Sequence, residues 1–124
     1  MLARFRYALR RFLFLSETAA RGAGLTPRQH QALLMIKGED GTVPIGIGDL
    51  AERLALHHNS VVELADRLTE SGFIVRLPDQ EDRRRVRLAL TPAGEEKLAD
   101  LSAIHLEELR RMRPVLQRMI DRLT

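Results

Sequence analysis

Cysteine is absent from the 124 residues. Its absence excludes disulfides, thiolate zinc sites and thiol redox sensing, and it suits a reducing cytoplasm, the expected location. No apolar run nears the length of a membrane span, so no membrane partner is expected. The N-terminal stretch MLARFRYALRRFLFL scatters arginines through an apolar pattern. A secretory signal would confine them to its front, so the stretch reads as a helix. There is no glycine-rich phosphate loop, no cysteine nucleophile, and no motif around Ser16, Ser60, Ser71 or Ser102. Asp79, Glu81 and Asp82 form a carboxylate cluster, but in an arginine-rich loop that reads as exposed, a poor place for a tuned acid or base. An enzyme is therefore not expected, and no cofactor is. His57 and His58 are adjacent near a helix start and point apart, a poor chelate, so no metal is expected. Internal repeats, low-complexity tracts and linkers are also missing.

What is present suits one folded domain with a modest core: 44% hydrophobic and 30% charged residues. The net charge of +3 and a pI near 10.1 point only weakly to a polyanion. Their distribution says more. Residues 1–21 hold five arginines and one glutamate; residues 49–70 hold two arginines against five acids; residues 73–90 hold five arginines against three acids. Positive charge sits at the two ends of this series and negative charge between them.

Leu2, Phe5, Leu9, Phe12 and Leu13 recur at helical spacing until Gly22-Ala23-Gly24. Thr26-Pro27 opens a second helix, Thr26 suiting the cap and Pro27 the first turn, with Ala32, Leu33 and Ile36 as its buried side. Glu39-Asp40-Gly41 reads as a turn and Val43-Pro44-Ile45 as an edge strand. A short helix over 47–54 buries Leu50, Ala51 and Leu54; a second over 59–71 buries Val61, Leu64, Ala65 and Leu68 and closes at Gly72. The pattern then turns β-like in Phe73–Leu77 and Val86–Leu90, with Pro78–Arg85 between them. Thr91-Pro92 restarts a helix, whose stripe runs through Leu98, Leu101, His105, Leu109, Met112, Leu116, Met119 and Leu123; Pro114 should kink or break it. His105, on this stripe, reads as an interface or core residue with a satisfied hydrogen bond. His30 is ambiguous.

Two short helices with a tight connection, followed by a hairpin with a charged loop, make a winged helix-turn-helix. The fold class is mainly α with a small β-hairpin. The second helix can enter a major groove, and a hairpin beside it can reach phosphates or the minor groove, where arginine is favoured.

The stretch IGDLAERLALHHNSVVELADRLTESGFIVRLPDQEDRRRVRLALTPAG resembles the core of the MarR family of bacterial transcriptional regulators. Its most specific part runs from the recognition-helix end through a D-x-x-D-x-R wing to T-P-A-G opening a helix. LTPRQHQALLMI resembles the helix that precedes this core. The resemblance implies N- and C-terminal dimerisation helices, over 1–21 and 98–124, around a winged core over 25–94. It also implies an obligate homodimer on double-stranded DNA with a pseudo-palindromic operator, a repressor role, and a small aromatic or acidic effector of unknown identity. By the same resemblance Arg84 enters the minor groove and Asp82 braces it. Arg83, Arg85 and Arg87 are candidates for phosphates. Asn59, Ser60 and Glu63 face the groove, and His57 and His58 sit at the helix N-terminus where its dipole favours phosphate. Leu2, Phe5, Leu9, Phe12, Leu109, Met112, Leu116, Met119 and Leu123 are the expected dimer contacts, since a small winged domain cannot cover apolar faces on two flanking helices.

The chain departs from the pattern at Glu63, where a basic residue is common, and at His57, where a serine cap is. Glutamate facing DNA repels phosphate yet can accept from cytosine N4. A second function therefore stays open: a winged-helix interaction module whose acidic helix docks a basic protein partner, with weak DNA binding or none.

Overall fold

A computed structural model describes residues 1–38, 44–82 and 84–123. Among the described residues eight elements follow in order: α1 (Leu2–Gly22), α2 (Pro27–Lys37), β1 (Ile45–Gly46), α3 (Ile47–Leu54), α4 (His58–Glu70), β2 (Ile74–Pro78), β3 (Val86–Leu90) and α5 (Pro92–Leu123). The fold is mainly helical with one antiparallel sheet in the order β1-β3-β2. The expected turn at 39–41 and Val43 of the expected edge strand lie outside the described residues. Ile45 and Gly46 do form that edge, paired with Leu88 and Arg87.

The chain divides into two compact units, Arg28–Leu98 and Met1–Pro27 with Ala99–Thr124. In the first, Leu33, Leu50, Val61, Ala65, Leu68, Ile74 and Leu88 are fully or almost fully buried. Burying each large side chain contributes about 1.5–3 kcal/mol, so the short helices are held by packing more than by propensity. The period near 3.6 foretold α4 well: Val61, Ala65 and Leu68 are inward, with Leu64 half-buried.

The ends of these helices show why the elements stop where they do. Gly72 adopts φ 81°; its N–H donates to the Thr69 carbonyl at 3.0 Å, and the Phe73 N–H donates to the Leu68 carbonyl at 3.1 Å. This pair of bonds closes α4 in a left-handed cap that glycine takes without strain. It also uses the Phe73 N–H, so β2 begins at Ile74, one residue later than the periodicity suggests. The end of α3 closes in the same way, but with Ala55 at φ 54°. The Leu56 N–H donates to the Ala51 carbonyl at 3.0 Å. That left-handed alanine makes the three-residue connection from α3 to α4, at a cost of about 1 kcal/mol.

The start of α5 is joined to the end of α4 by four groups in the T-P-A-G motif and its neighbours. The Thr91 hydroxyl donates to the Gly72 carbonyl at 2.5 Å and accepts from the Gly94 N–H at 3.1 Å. The Thr91 N–H donates to the Phe73 carbonyl at 3.0 Å. Gly94 lies so close to that carbonyl that a Cβ would collide with it. The motif is therefore a junction that needs a hydroxyl cap and a residue without a side chain.

In the second unit, α1 and the remainder of α5 share the buried Ala20, Leu101 and Met112. His105 clamps them: Nδ1 donates to the Leu101 carbonyl at 2.5 Å, and Nε2 shares a hydrogen bond of 2.6 Å with the Ser16 hydroxyl. Its ring meets Phe12 edge-on, with centroids 5.6 Å apart. Glu108, nearly buried, lies 3.6 Å from Arg11 and 3.7 Å from Arg111. Pro114 does not break α5, which runs unbroken from Pro92 to Leu123. Met112 is buried before it and Val115 and Leu116 are half-buried after it, so packing on both sides offsets the lost bond and the ring's clash with the preceding turn. Met112, expected against a partner, is instead buried within its own chain.

Candidate nucleic-acid interface

The outward face of α4 and the turn between β2 and β3 carry the residues that the sequence singles out. His57 occupies the N-cap of α4 in an extended conformation and makes no side-chain cap bond. His58, Asn59, Ser60 and Glu63 follow on its exposed side. The acidity of this helix is largely paired within the winged unit. Glu63 meets Arg67 one turn later at 3.1 Å, and Asp66 pairs with Arg76 of β2, which also ties α4 to the sheet. Glu63 thus presents half of an ion pair and not an isolated charge. An exposed pair of this kind is worth a few tenths of a kcal/mol, so a ligand can separate it cheaply.

At the wing, Asp82 organises the turn through both oxygens. Oδ1 accepts from the Arg84 backbone N–H at 3.0 Å and lies 3.5 Å from Arg84 Nε; Oδ2 lies 3.9 Å from Arg85 Nε. The Arg85 N–H closes the turn on the Asp82 carbonyl at 2.9 Å. The Arg84 side chain stays 94% exposed and that of Arg85 75% exposed. Two cations are thereby held out from a backbone that is itself pinned. Arg83 lies outside the described residues.

Arg87 stands apart from its expected place at the phosphates. Its side chain is 31% exposed; Nε lies 3.3 Å from Asp79 Oδ2, and Nη1 donates to the Pro44 carbonyl at 2.8 Å. Asp79, expected in an exposed acidic cluster, is buried instead. Its Oδ1 accepts from the Glu81 N–H at 3.0 Å. That backbone bond, with the Arg87 charge beside it, holds the Asp79 carboxyl below its ordinary pKa despite burial. Asp79 is the residue that sequence reasoning missed. The pairing Leu77↔Arg87 puts it diagonally across from Arg87 on the same sheet face. Long side chains span that diagonal, so counting register from the hairpin could have found it.

The expected dimer contacts divide. Leu2, Leu9, Leu109 and Leu123 are exposed, while Phe5, Phe12, Leu116 and Met119 are half-buried. Tyr7, Leu13, Phe14, Ile104, Leu106 and Ile120 join the exposed set. On α5 the steps Leu106, Leu109, Leu116, Ile120, Leu123 trace one apolar seam, interrupted by Arg113. Such a row is the mark of an interaction surface. Among the described residues no helix is long and apolar enough to cross a membrane.

Comparison with known proteins agrees with this geometry. The uncharacterised HTH-type transcriptional regulator YcgE of Bacillus subtilis is 32% identical over 97 residues, which are 78% of this chain and 61% of that protein. The HTH-type transcriptional repressor MdtR of the same organism is 31% identical over 80 residues, 64% of this chain and 50% of that one. The chain thus spans half to three-fifths of the length of these curated relatives. The solved structure of CouR from Rhodococcus jostii RHA1, bound to p-coumaroyl-CoA, matches with a TM-score of 0.74 at 25% identity, covering 98% of this chain and 85% of that one. Residues 23–85, which contain α2, the helix-turn-helix and the wing up to Arg85, match the MarR family. With its sheet order, its three-residue turn and its pinned basic wing, the chain belongs to the MarR family of transcriptional regulators.

Proposed function

We propose that the chain represses transcription as a homodimer, each protomer reading one half of a pseudo-palindromic operator with α4 and the wing. The observation that carries this is the wing tip. Arg84 is almost wholly exposed while its backbone N–H is held by Asp82, so the backbone needs little further ordering when the cation enters a groove. The repressor role follows MdtR, and a small aromatic, anionic effector follows the p-coumaroyl-CoA complex of CouR. The exposed seam on α5 is assigned to the second protomer. The alternative, an acidic module for a basic protein partner, loses its main support because Glu63 and Asp66 already have cationic neighbours.

Selection of duplexes from a random library by the purified protein, followed by a salt titration, tests the reading. A two-fold-symmetric site is expected, with half-sites about 34–36 Å apart. Arg84→Ala should weaken its binding at least about tenfold and lower the salt slope by about 1.8, the loss of one phosphate contact from each of the two protomers. No enrichment over bulk DNA, or an Arg84→Ala variant that matches wild type at every salt concentration, would refute it.

A further inference from the structure

One guanidinium joins three separate segments of the winged unit. Arg87 lies on β3. Its partner Asp79 follows β2 directly, where the hairpin leaves its ladder, and the Asp79 N–H donates to the Arg85 carbonyl at 3.2 Å. Pro44, whose carbonyl Arg87 also holds, immediately precedes β1, and β1 runs without a gap into α3. The wing turn, the central strand and the entry to the helix-turn-helix therefore meet at Arg87.

The chemistry suits arginine and no other side chain. Nε and Nη1 are separate donors in one rigid plane, so one can serve the carboxylate while the other serves the carbonyl. Lysine would bring a point charge to one of them. Both oxygens of the carboxylate are engaged in turn, one by the Glu81 N–H and the other by Arg87. A phosphate that recruited Arg87 would leave a buried aspartate without its countercharge, a costly exchange. Arg84 and Arg85 face no such competition, because the Asp82 they share is only loosely paired at 3.5–3.9 Å.

We propose that Arg87 is a positioning residue: with Asp79 it latches the wing to the strand that enters the helix-turn-helix, and so aims Arg84 without touching DNA itself. This rests on the DNA-binding reading above.

The test uses full-length protein and a duplex selected by the wild type. Affinity is measured over a sodium chloride series for wild type, Arg84→Ala, Arg87→Gln, Asp79→Asn and the double variant. Amide hydrogen exchange at Glu81 and Arg85 is followed without DNA. Arg87→Gln and Asp79→Asn should each bind about tenfold more weakly, because a loosened wing must be ordered on binding. Their salt slopes should equal that of wild type, and their wing amides should exchange faster. The double variant should be no weaker than the worse single one, since both remove one interaction. A slope lowered by about 1.8, one contact from each protomer, in Arg87→Gln with unchanged exchange would make Arg87 a phosphate contact and overturn the proposal. Unchanged affinity in Arg87→Gln would overturn it too. Should Arg87→Gln fail to fold, Arg87→Lys keeps the charge but not the fork; it should bind more weakly at an unchanged slope, and wild-type affinity there would refute the latch. If the wild type selects no duplex, the DNA-binding reading falls and this proposal with it. If the wild type selects one and Arg87→Gln binds it normally, the latch alone falls.

Discussion

The two units of the chain handle charge in opposite ways. Residues 28–98, which hold the helix-turn-helix and the wing, carry ten basic residues against twelve acids. The helical unit, 1–27 with 99–124, carries ten arginines against five acids. The unit assigned to DNA is thus the less positive one. Net charge misleads here because the winged unit pairs its charges internally: Lys37 with Glu95, Arg67 with Glu63, Arg76 with Asp66, Arg87 with Asp79. Outside these pairs the wing presents Arg84 and Arg85, whose side chains stay 94% and 75% exposed beside the Asp82 they share. In the helical unit arginines interleave with exposed apolar side chains, so positive charge flanks a surface whose main feature is hydrophobic. A local potential, set by placement, decides where a polyanion binds, and a domain-wide sum does not.

The contrast can be broken most severely at the α5 seam. Leu109→Glu with Ile120→Glu places two charges in the row assigned to the second protomer. Light scattering should report monomers or insoluble protein; an unchanged soluble dimer would move the interface elsewhere. In the winged unit the largest effect should come from Gly94→Ala, whose methyl meets the Phe73 carbonyl. Denaturant unfolding should show a loss of about 1–3 kcal/mol, as overpacking typically costs. Wild-type stability would mean that the α4–α5 junction relaxes freely. Ala55→Gly should act in the opposite direction. It relieves the left-handed alanine but adds chain entropy to the unfolded state, for a net gain of about 0.5 kcal/mol by thermal melting. A loss would show that the Ala55 side chain contributes packing that offsets its strain.

The smallest effect sharpens the comparison by pH. The folded-state pKa of Asp79 is depressed, chiefly by the Glu81 N–H and further by Arg87. Its stabilising contribution is therefore present above the ordinary carboxylate pKa, about 3.9, and is lost as pH falls through the lower folded value. The stability difference between wild type and Asp79→Asn should be constant near neutrality and close in acid. A difference that persisted well below pH 3 would contradict the pairing.

Much of this was legible in the chain itself. Periodicity set α3 and α4 to within a residue or two because their apolar faces are dense and their ends carry strong stops. The hairpin showed in the switch from helical spacing to the short β-like runs Phe73–Leu77 and Val86–Leu90. The D-x-x-D-x-R wing and T-P-A-G pointed to the family. Where the reading erred, a specific contact overrode the apolar or strand pattern. Phe73 left the strand because its N–H closes α4. Pro114 was tolerated because side chains on both sides anchor the helix. Met112 turned into its own chain.

By itself, then, the sequence determined the order of elements, the winged helix-turn-helix and the family, since these depend on local spacing and short motifs. Only the tertiary structure decided which of the wing arginines are free. Arg84, Arg85 and Arg87 lie within four residues and share one chemistry. They differ only in what the fold brings beside them: a loosely held turn aspartate for the first two, and for Arg87 a buried carboxylate from the hairpin and a carbonyl 43 residues away. Hairpin register can suggest the carboxylate, but no local pattern encodes the Pro44 carbonyl, which reaches Arg87 only once β1 has paired with β3.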